Sequence, residues 1–156
     1  MAPYTLLIDG PSGAGKTTLA LQIGDALGIP VVHLDDFYPG WGGLAEGARI
    51  VAEDVLDPAR PGYWRWDWER GRRGEWVALD PGGDLIVEGV GAVTGASKAK
   101  ARRRGDVDTI RVVADPHLRK ERALRRDPGY AEWWDMWAAQ EARLARVEVD
   151  VEVRRT

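Results

Sequence analysis

The stretch that decides the fold is Gly10-Pro11-Ser12-Gly13-Ala14-Gly15-Lys16-Thr17, which matches the pattern G-x-x-x-x-G-K-[ST]. Glycines in such a loop let backbone N–H groups converge on phosphate oxygens, and the N-terminus of a following helix adds positive potential. The lysine reaches the outer phosphates, and the threonine hydroxyl can bind Mg²⁺. The pattern therefore predicts that a nucleoside triphosphate is bound by Gly10, Ser12, Gly13, Ala14, Gly15, Lys16, Thr17 and Thr18.

The segments on either side of this loop supply the structural context that its chemistry needs. Residues 5–9 form a short continuous apolar run, which is typical of a buried parallel strand. From Lys16 to Leu27 apolar residues recur at helical spacing, and Gly28 with Pro30 supplies the stop signal. The chain therefore opens with a strand, a phosphate loop and a helix.

The rest of the chain continues the alternation of strands and helices. Further strands are predicted at residues 31–34, 85–88, 110–114 and 147–153. Further helices are predicted at residues 44–56, 94–104, 116–126 and 130–146. This order indicates one α/β domain over residues 1–156, with a parallel sheet and right-handed crossovers. Residues 57–79 fit neither period and hold four of the eight tryptophans, so we expect a long loop or an irregular hairpin there.

Composition excludes several classes of function. The net charge of −3 gives no basic footprint for nucleic acid, so we expect none as a partner. The chain has no Cys, which excludes a disulfide framework and a thiolate zinc site. There is no basic leader and no apolar run near the roughly 20 residues of a membrane span. We therefore expect a cytoplasmic monomer or homodimer that does not act at a membrane.

Acidic residues follow the second and third predicted strands of the parallel sheet. Asp35 and Asp36 come directly after the second strand, and Glu88 ends the third. The carboxyl ends of such strands form the ligand-binding edge of an open α/β sheet, so these carboxylates should face the phosphate loop. Asp35 could accept the proton of an attacking hydroxyl or help to bind Mg²⁺, and Glu88 is a second metal candidate beside Thr17. The alternative for Asp35 and Asp36 is a simple cap of the next turn.

The phosphate loop, Asp35-Asp36-Phe37-Tyr38 and Ile86-Val87-Glu88-Gly89, in this order, resemble the uridine kinase-like branch of the P-loop kinases and the nicotinamide riboside kinases. The resemblance implies a P-loop NTPase fold, a three-layer α/β/α arrangement with a five-stranded parallel sheet in the order 2-3-1-4-5. It also implies that Asp35 is the general base, that Asp36 and Tyr38 belong to the substrate site, and that Glu88 binds the metal or its water.

A cluster of arginines suggests a lid at about residues 116–130. Arg119, Arg122 and Arg126 share one helix face and resemble the arginine-rich lid of nucleoside and nucleotide kinases. A lid arginine stabilises charge on the transferring phosphoryl group, and Arg122 and Arg126 are our catalytic candidates together with Lys16. The alternative is a solvated helix face paired with Glu121.

The tryptophan-rich segment 57–79 is the predicted substrate loop. Related uridine kinase-like sequences carry an aromatic-Asp-aromatic element here, so the resemblance implies that Asp67 binds a substrate hydroxyl while Trp66 or Trp68 stacks. The alternative is a satellite hydrophobic core. Trp133, Trp134 and Trp137 lie at helical spacing, which indicates packing.

These observations together predict an ATP- and Mg²⁺-dependent phosphotransferase that moves the γ-phosphoryl group to a hydroxyl of a small acceptor, with nucleosides among the candidates. One alternative is a nucleoside monophosphate kinase, whose anionic acceptor would need arginines such as Arg60 and Arg65. The other is an ATP-binding regulatory protein that is not a kinase.

Overall fold

A five-stranded parallel sheet forms the centre of the protein, of which the structure, a computed structural model, describes residues 2–156. The strands of the chain are Thr5–Asp9 (β1), Val31–His33 (β2), Gly62–Asp67 (β3), Arg72–Ala78 (β4), Leu85–Glu88 (β5), Val107–Val113 (β6) and Val151–Arg154 (β7). The central sheet has the order β2-β5-β1-β6-β7, and every neighbouring pair in it is parallel. Counted within this sheet alone, the order is 2-3-1-4-5, as the resemblance implied.

Five α-helices connect or follow these strands. They are Lys16–Leu27 (α1), Leu44–Ile50 (α2), Gly95–Arg104 (α3), Pro116–Arg126 (α4) and Trp134–Arg143 (α5). Local capping sets some of their ends, since the Asp115 side chain accepts a bond from the His117 N–H at the start of α4. Helix α1 ends at Gly28, which adopts a left-handed conformation. No helix within residues 2–156 combines the length and apolar character that crossing a bilayer requires.

Alternate residues of the central strand β1 contribute to separate hydrophobic clusters. Leu6 and Ile8 join a cluster that includes Ala20 of α1, whereas Leu7 joins a second cluster that includes Ala101 of α3. Successive side chains of a strand point to opposite faces, so each face of the sheet has its own helical cover. This is the predicted three-layer α/β/α arrangement, and its carboxyl edge carries the phosphate loop.

The tryptophan-rich segment forms a separate antiparallel hairpin of β3 and β4. Trp64 pairs with Trp76 across it, and the register shifts between Trp64 and Trp66. Asp67 stabilises the hairpin turn, because its carboxylate accepts the backbone N–H groups of Glu69 and Arg70. Of the two structures predicted for residues 57–79, the chain therefore adopts the irregular hairpin.

Candidate active site

The phosphate loop joins β1 to α1 and packs against α4. Gly13 has a φ of 77°, a left-handed conformation that L side chains rarely adopt. A Cβ atom at this position would lie 2.1 Å from the backbone carbonyl oxygen of Arg119. Only glycine therefore allows the loop and α4 to approach this closely.

Lys16 lies inside the loop, with its side chain folded along the backbone. Its ammonium group donates to the carbonyl of Pro11 at 2.9 Å, and the residue is only 7% exposed. Burial lowers the pKa of Lys16, and the negative charges of Glu88 and Asp9 oppose that shift. The ammonium group of Lys16 is thus held inside the loop by a backbone carbonyl.

Every polar group of Ser12 is bonded to a residue from the C-terminal third of the chain. Its N–H donates to Oε1 of Glu141 at 3.0 Å, and its carbonyl accepts from Nη1 of Arg119 at 3.2 Å. Its hydroxyl lies 2.7 Å from the hydroxyl of Tyr130. These contacts fix the entry of the phosphate loop, and sequence reasoning missed Glu141 and Tyr130, which are more than a hundred residues away.

Glu88 ends β5 beside the start of α1. Its Oε1 accepts from the Thr17 hydroxyl at 3.0 Å and from Nδ1 of His33 at 2.6 Å. This hydrogen bond raises the pKa of His33, and burial opposes the shift. The other oxygen, Oε2, is buried without a hydrogen-bond partner, and the residue is only 2% exposed.

The donor set around Glu88 fits a magnesium ion. A hydroxyl and a carboxylate with an orphaned oxygen are hard oxygen ligands, which Mg²⁺ prefers. Across residues 2–156 no three His, Cys, Asp or Glu side chains come together as a metal site. An ion here would therefore take most of its ligands from nucleotide phosphates and water, as Mg²⁺ commonly does.

Asp35 follows β2 in a short 3₁₀ turn, Leu34–Asp36, and its side chain opens into the same cavity. Partial desolvation raises the pKa of Asp35, although the residue remains exposed to solvent, and the charge of Glu88 raises it further, whereas Lys16 and Arg126 lower it. The backbone carbonyl of Asp35 accepts the indole N–H of Trp68 at 2.9 Å. Asp35 is therefore a carboxylate with a raised proton affinity that faces the phosphate loop.

A cavity of about 640 Å³ brings most of the predicted site residues together. Residues of helix α4 line one part of this cavity. Among them, Arg122 donates a hydrogen bond from Nη2 to the backbone carbonyl oxygen of Thr156 at 2.8 Å. The predicted residues that line the cavity are Ser12, Gly13, Gly15, Lys16, Thr17, Thr18, Asp35, Tyr38, Trp68, Glu88, Arg122 and Arg126. Gly10 and Ala14 belong to the loop but do not line the cavity. Tyr38 is largely buried, and its hydroxyl donates to the carbonyl of Val90 at 2.6 Å.

The structure does not bring the other predicted substrate residues to this cavity. Asp36 lies 3.8 Å from Arg65, and the guanidinium of Arg60 lies over the Trp76 ring at 4.7 Å. Trp66 belongs to the hairpin, where its indole nitrogen is buried without a hydrogen-bond partner. Asp67 is used by the hairpin turn. Contacts with the hairpin account for these positions. Asp36 and Arg60 contact hairpin residues, and Trp66 and Asp67 belong to strand β3 of the hairpin.

Five aromatic rings line the cavity together with the phosphate loop, and they belong to Trp41, Trp68, Tyr130, Trp133 and Trp137. We call this set the aromatic wall. Trp41 is its centre, because its ring centroid lies 5.0 to 6.1 Å from each of the other four. Sequence reasoning assigned Trp133 and Trp137 to packing only. Their spacing on one helical face with Tyr130 was the available signal, but Trp41 gave none.

Asp9, at the end of β1, holds the segment that follows β5. Its Oδ1 accepts the N–H groups of Gly10 at 2.7 Å and Gly91 at 3.1 Å, and its Oδ2 accepts that of Val93 at 2.9 Å. Gly89 and Val90 of this segment line the cavity. Sequence reasoning read Asp9 only as the last residue of a strand, and nothing local indicated its distant partners.

Comparison with known proteins shows which solved structures share this fold. No protein-family model and no curated protein matches the chain. Among solved structures, the chain is similar to one described as a "Possible Uridine Kinase" from Bacillus stearothermophilus, with 21% identity, a TM-score of 0.55, and coverage of 98% of this chain and 89% of that one. A sugar kinase from Janibacter sp. HTCC2649 gives 19% identity, a TM-score of 0.56, and coverage of 99% and 84%.

The APS kinase of Mycobacterium tuberculosis, solved with AMPPNP and APS, gives 17% identity, a TM-score of 0.56, and coverage of 98% and 88%. The descriptions of these structures name different kinds of small-molecule kinase, so the similarity does not identify one acceptor. The resemblance drawn from the phosphate loop, Asp35 and Glu88 is thus confirmed at the level of the fold, and the chain has the fold of the P-loop kinases.

Proposed function

We propose that the protein transfers the γ-phosphoryl group of ATP to a hydroxyl of a small-molecule acceptor and requires Mg²⁺. The observation that carries this proposal is that Asp35 and the phosphate loop line one cavity. A phosphate loop alone serves binding proteins and hydrolases as well. A carboxylate facing it across a cavity large enough for a small molecule is the arrangement that a kinase needs.

The phosphate side of the cavity would bind the donor. Backbone N–H groups of the loop and the N-terminus of α1 attract phosphate oxygens, and Lys16 would turn from the Pro11 carbonyl to the outer phosphates. Thr17 and Glu88 are the residues that would hold magnesium, directly or through water. When bound, the ion neutralises charge on the β- and γ-phosphates.

The opposite side would bind and activate the acceptor. Asp35 would take the proton of the attacking hydroxyl as the oxygen bonds to the γ-phosphorus and ADP leaves. The raised pKa of Asp35 makes it a better proton acceptor than an ordinary aspartate. Arg122 and Arg126 line the cavity from α4 and would stabilise the transferring group.

The nucleoside monophosphate kinase alternative has less support. A nucleoside monophosphate kinase needs arginines in the acceptor pocket to bind the phosphate that its acceptor already carries. Arg60 stacks over Trp76, Arg65 lies beside Asp36, and neither arginine lines the cavity. The cavity arginines are the two on α4 that the proposal assigns to the donor.

The test is ADP release from Mg·ATP with and without members of an acceptor panel. We expect acceptor-dependent release by the parent, and a rate lower by about 10²- to 10⁴-fold for Asp35→Asn, the usual contribution of a positioned base. Asp25→Asn, on the exposed surface of α1, is the matched control and should keep the parent rate. An Asp35→Asn protein with parental transfer would overturn the role of Asp35.

A further inference from the structure

His33, at the end of β2, contacts the carboxylate that would hold magnesium. Strands β2 and β5 are parallel neighbours, and their register pairs His33 with Glu88. Nδ1 of His33 lies 2.6 Å from Oε1 of Glu88. An ionised carboxylate only accepts hydrogen bonds, so the imidazole carries a hydrogen on Nδ1 and donates it. A neutral imidazole already supplies this donor, and the contact therefore does not depend on protonation of the ring.

The same oxygen of Glu88 receives a second donor, from the helix that follows the phosphate loop. The Thr17 hydroxyl donates to Oε1 at 3.0 Å, whereas Oε2 is buried and has no partner within residues 2–156. Two donors from different elements restrict the rotation of the carboxylate and leave the lone pairs of Oε2 for a further ligand. A buried charged oxygen without a partner is costly, so this arrangement indicates a ligand that supplies positive charge or a hydrogen.

The two donors differ in their place relative to the cavity. Thr17 and Glu88 line the cavity, whereas His33 does not. Thr17 is also a predicted magnesium ligand through its own oxygen. His33 is thus the donor that holds the Glu88 carboxylate from outside the cavity. A residue in this position acts on a metal through the ligand that it orients.

We propose that His33 is a positioning residue, whose hydrogen bond to Oε1 keeps Oε2 of Glu88 available for magnesium or for a water of the ion. This proposal rests on the magnesium site of the proposed function, but not on phosphoryl transfer or on the identity of the acceptor. Hydrogen-bond partners of metal ligands typically contribute about 10- to 100-fold to metal affinity. Loss of the His33 donor should therefore weaken the binding of Mg²⁺ and leave the contacts of the loop with phosphates in place.

Nucleotide affinity with and without magnesium measures this role in the absence of turnover. The probe is AMPPNP, a non-hydrolysable analogue of ATP, and calorimetry gives its Kd in saturating Mg²⁺ and in EDTA. The ratio of the Kd in EDTA to the Kd in Mg²⁺ measures how much the ion contributes to binding. We expect His33→Ala to lower this ratio by about tenfold or more and to leave the Kd in EDTA unchanged.

Variants at the two histidines separate the hydrogen-bond donor from other effects. His33 is a better site for substitution than Glu88, because its side chain is 27% exposed and that of Glu88 only 2%. His33→Asn keeps a side-chain N–H donor and cannot be charged, so it should restore most of the ratio. His117→Ala, which removes the exposed histidine of α4, is the matched control and should keep the parental ratio.

A double-substitution cycle shows whether His33 acts through Glu88. Glu88→Gln should lower the ratio, and His33→Ala should add no further loss in that background. Losses that add would mean that His33 affects magnesium binding by another route, and they would overturn the proposal.

The failures can be told apart. If magnesium does not tighten the binding of AMPPNP to the parent, the magnesium site of the proposed function fails, and the role of His33 fails with it. If magnesium tightens binding equally in the parent and in a His33→Ala protein that is folded by circular dichroism, the magnesium site stands and the positioning role is wrong. A His33→Asn protein with as low a ratio as His33→Ala would refute the hydrogen bond as the cause.

Discussion

Replacement of Asp9 by alanine should destabilise the protein strongly, although it removes only one small carboxylate group. The carboxylate accepts three backbone N–H groups, from Gly10, Gly91 and Val93, at 2.7 to 3.1 Å. Asp9 is buried, so in Asp9→Ala these donors lose their acceptor away from bulk water. An unsatisfied buried donor costs about 1–3 kcal/mol, and water entering the space would recover part of this. We expect a loss of about 3–5 kcal/mol in the free energy of unfolding.

The assay is urea unfolding followed by circular dichroism. Asp9→Asn should lose less than Asp9→Ala, because its amide keeps one acceptor oxygen. Asp84→Ala is the matched control, since Asp84 is exposed and accepts a single backbone N–H, from Tyr4. The control should lose no more than about 1 kcal/mol. An Asp9→Ala protein within about 0.5 kcal/mol of the parent would refute the assigned role.

Further predictions concern Gly13 of the phosphate loop, the Tyr130 hydroxyl that contacts this loop, and Asp150 beside the edge strand β7. Gly13→Ala should lower kcat/KM by about 10²-fold, because the new Cβ would lie 2.1 Å from an α4 carbonyl and the phosphate loop must move. Tyr130→Phe removes the bond to the Ser12 hydroxyl and should weaken ATP binding by about 2- to 10-fold in calorimetry. Asp150→Ala should reduce stability to urea at pH 7 but not in acid. Thr109 hydrogen bonds lower the pKa of Asp150, so its contribution is present above the unfolded pKa of about 3.9 and is lost as the pH falls.

Matched variants separate these effects from general damage. Gly95→Ala places a methyl group where no atom lies within 4 Å, so it should keep the parental kcat/KM. Tyr63→Phe removes a hydroxyl from a ring that packs on Phe37 and should leave ATP binding unchanged. Parental turnover by Gly13→Ala, or parental ATP affinity of Tyr130→Phe, would contradict the packing described. A loss of stability to urea in Asp150→Ala that is as large at low pH as at pH 7 would contradict the role assigned to Asp150.

The central sheet was predictable because its determinants are local. The apolar run Thr5–Asp9, the glycine-rich loop and the helical pattern from Lys16 lie next to one another in the sequence. Alternation of strands with helices then leaves few topologies. The carboxylates after the second and third strands also follow from chain order, because parallel strands end at one edge of the sheet.

Element boundaries were less predictable where packing competes with periodicity. The helix expected over residues 44–56 is α-helical only over Leu44–Ile50 and continues as a π-helical turn over Val51–Val55. The helix expected over residues 130–146 begins as a 3₁₀ turn and is α-helical from Trp134 to Arg143. The edge strand expected over residues 147–153 is limited to Val151–Arg154. Hydrophobic spacing marks which face is buried but not where the hydrogen-bond pattern changes.

Most of the aromatic residues that line the cavity could not be predicted as site residues, because they come from distant segments, and Trp68 is the one that the sequence analysis named as a stacking candidate. Trp41 meets Trp133 across 92 positions of the chain, and Trp41 has no local motif, while the helical spacing around Trp133 indicates only a shared face. The hairpin shows the opposite case. Trp66 and Asp67 have a conspicuous local pattern, but the carboxylate of Asp67 is used by the turn. Only the folded chain shows which aromatic residues face the phosphate loop.

The central claim is that Asp35 and the phosphate loop act on one acceptor in one cavity. The most direct measurement is ³¹P NMR of the products after incubation with Mg·ATP and the best acceptor of the panel. We predict a phosphorylated acceptor and ADP in equal amounts from the parent, and a strongly reduced yield of both from Asp35→Asn. Release of ADP and inorganic phosphate at one rate with or without acceptor, and no phosphorylated acceptor, would contradict the account.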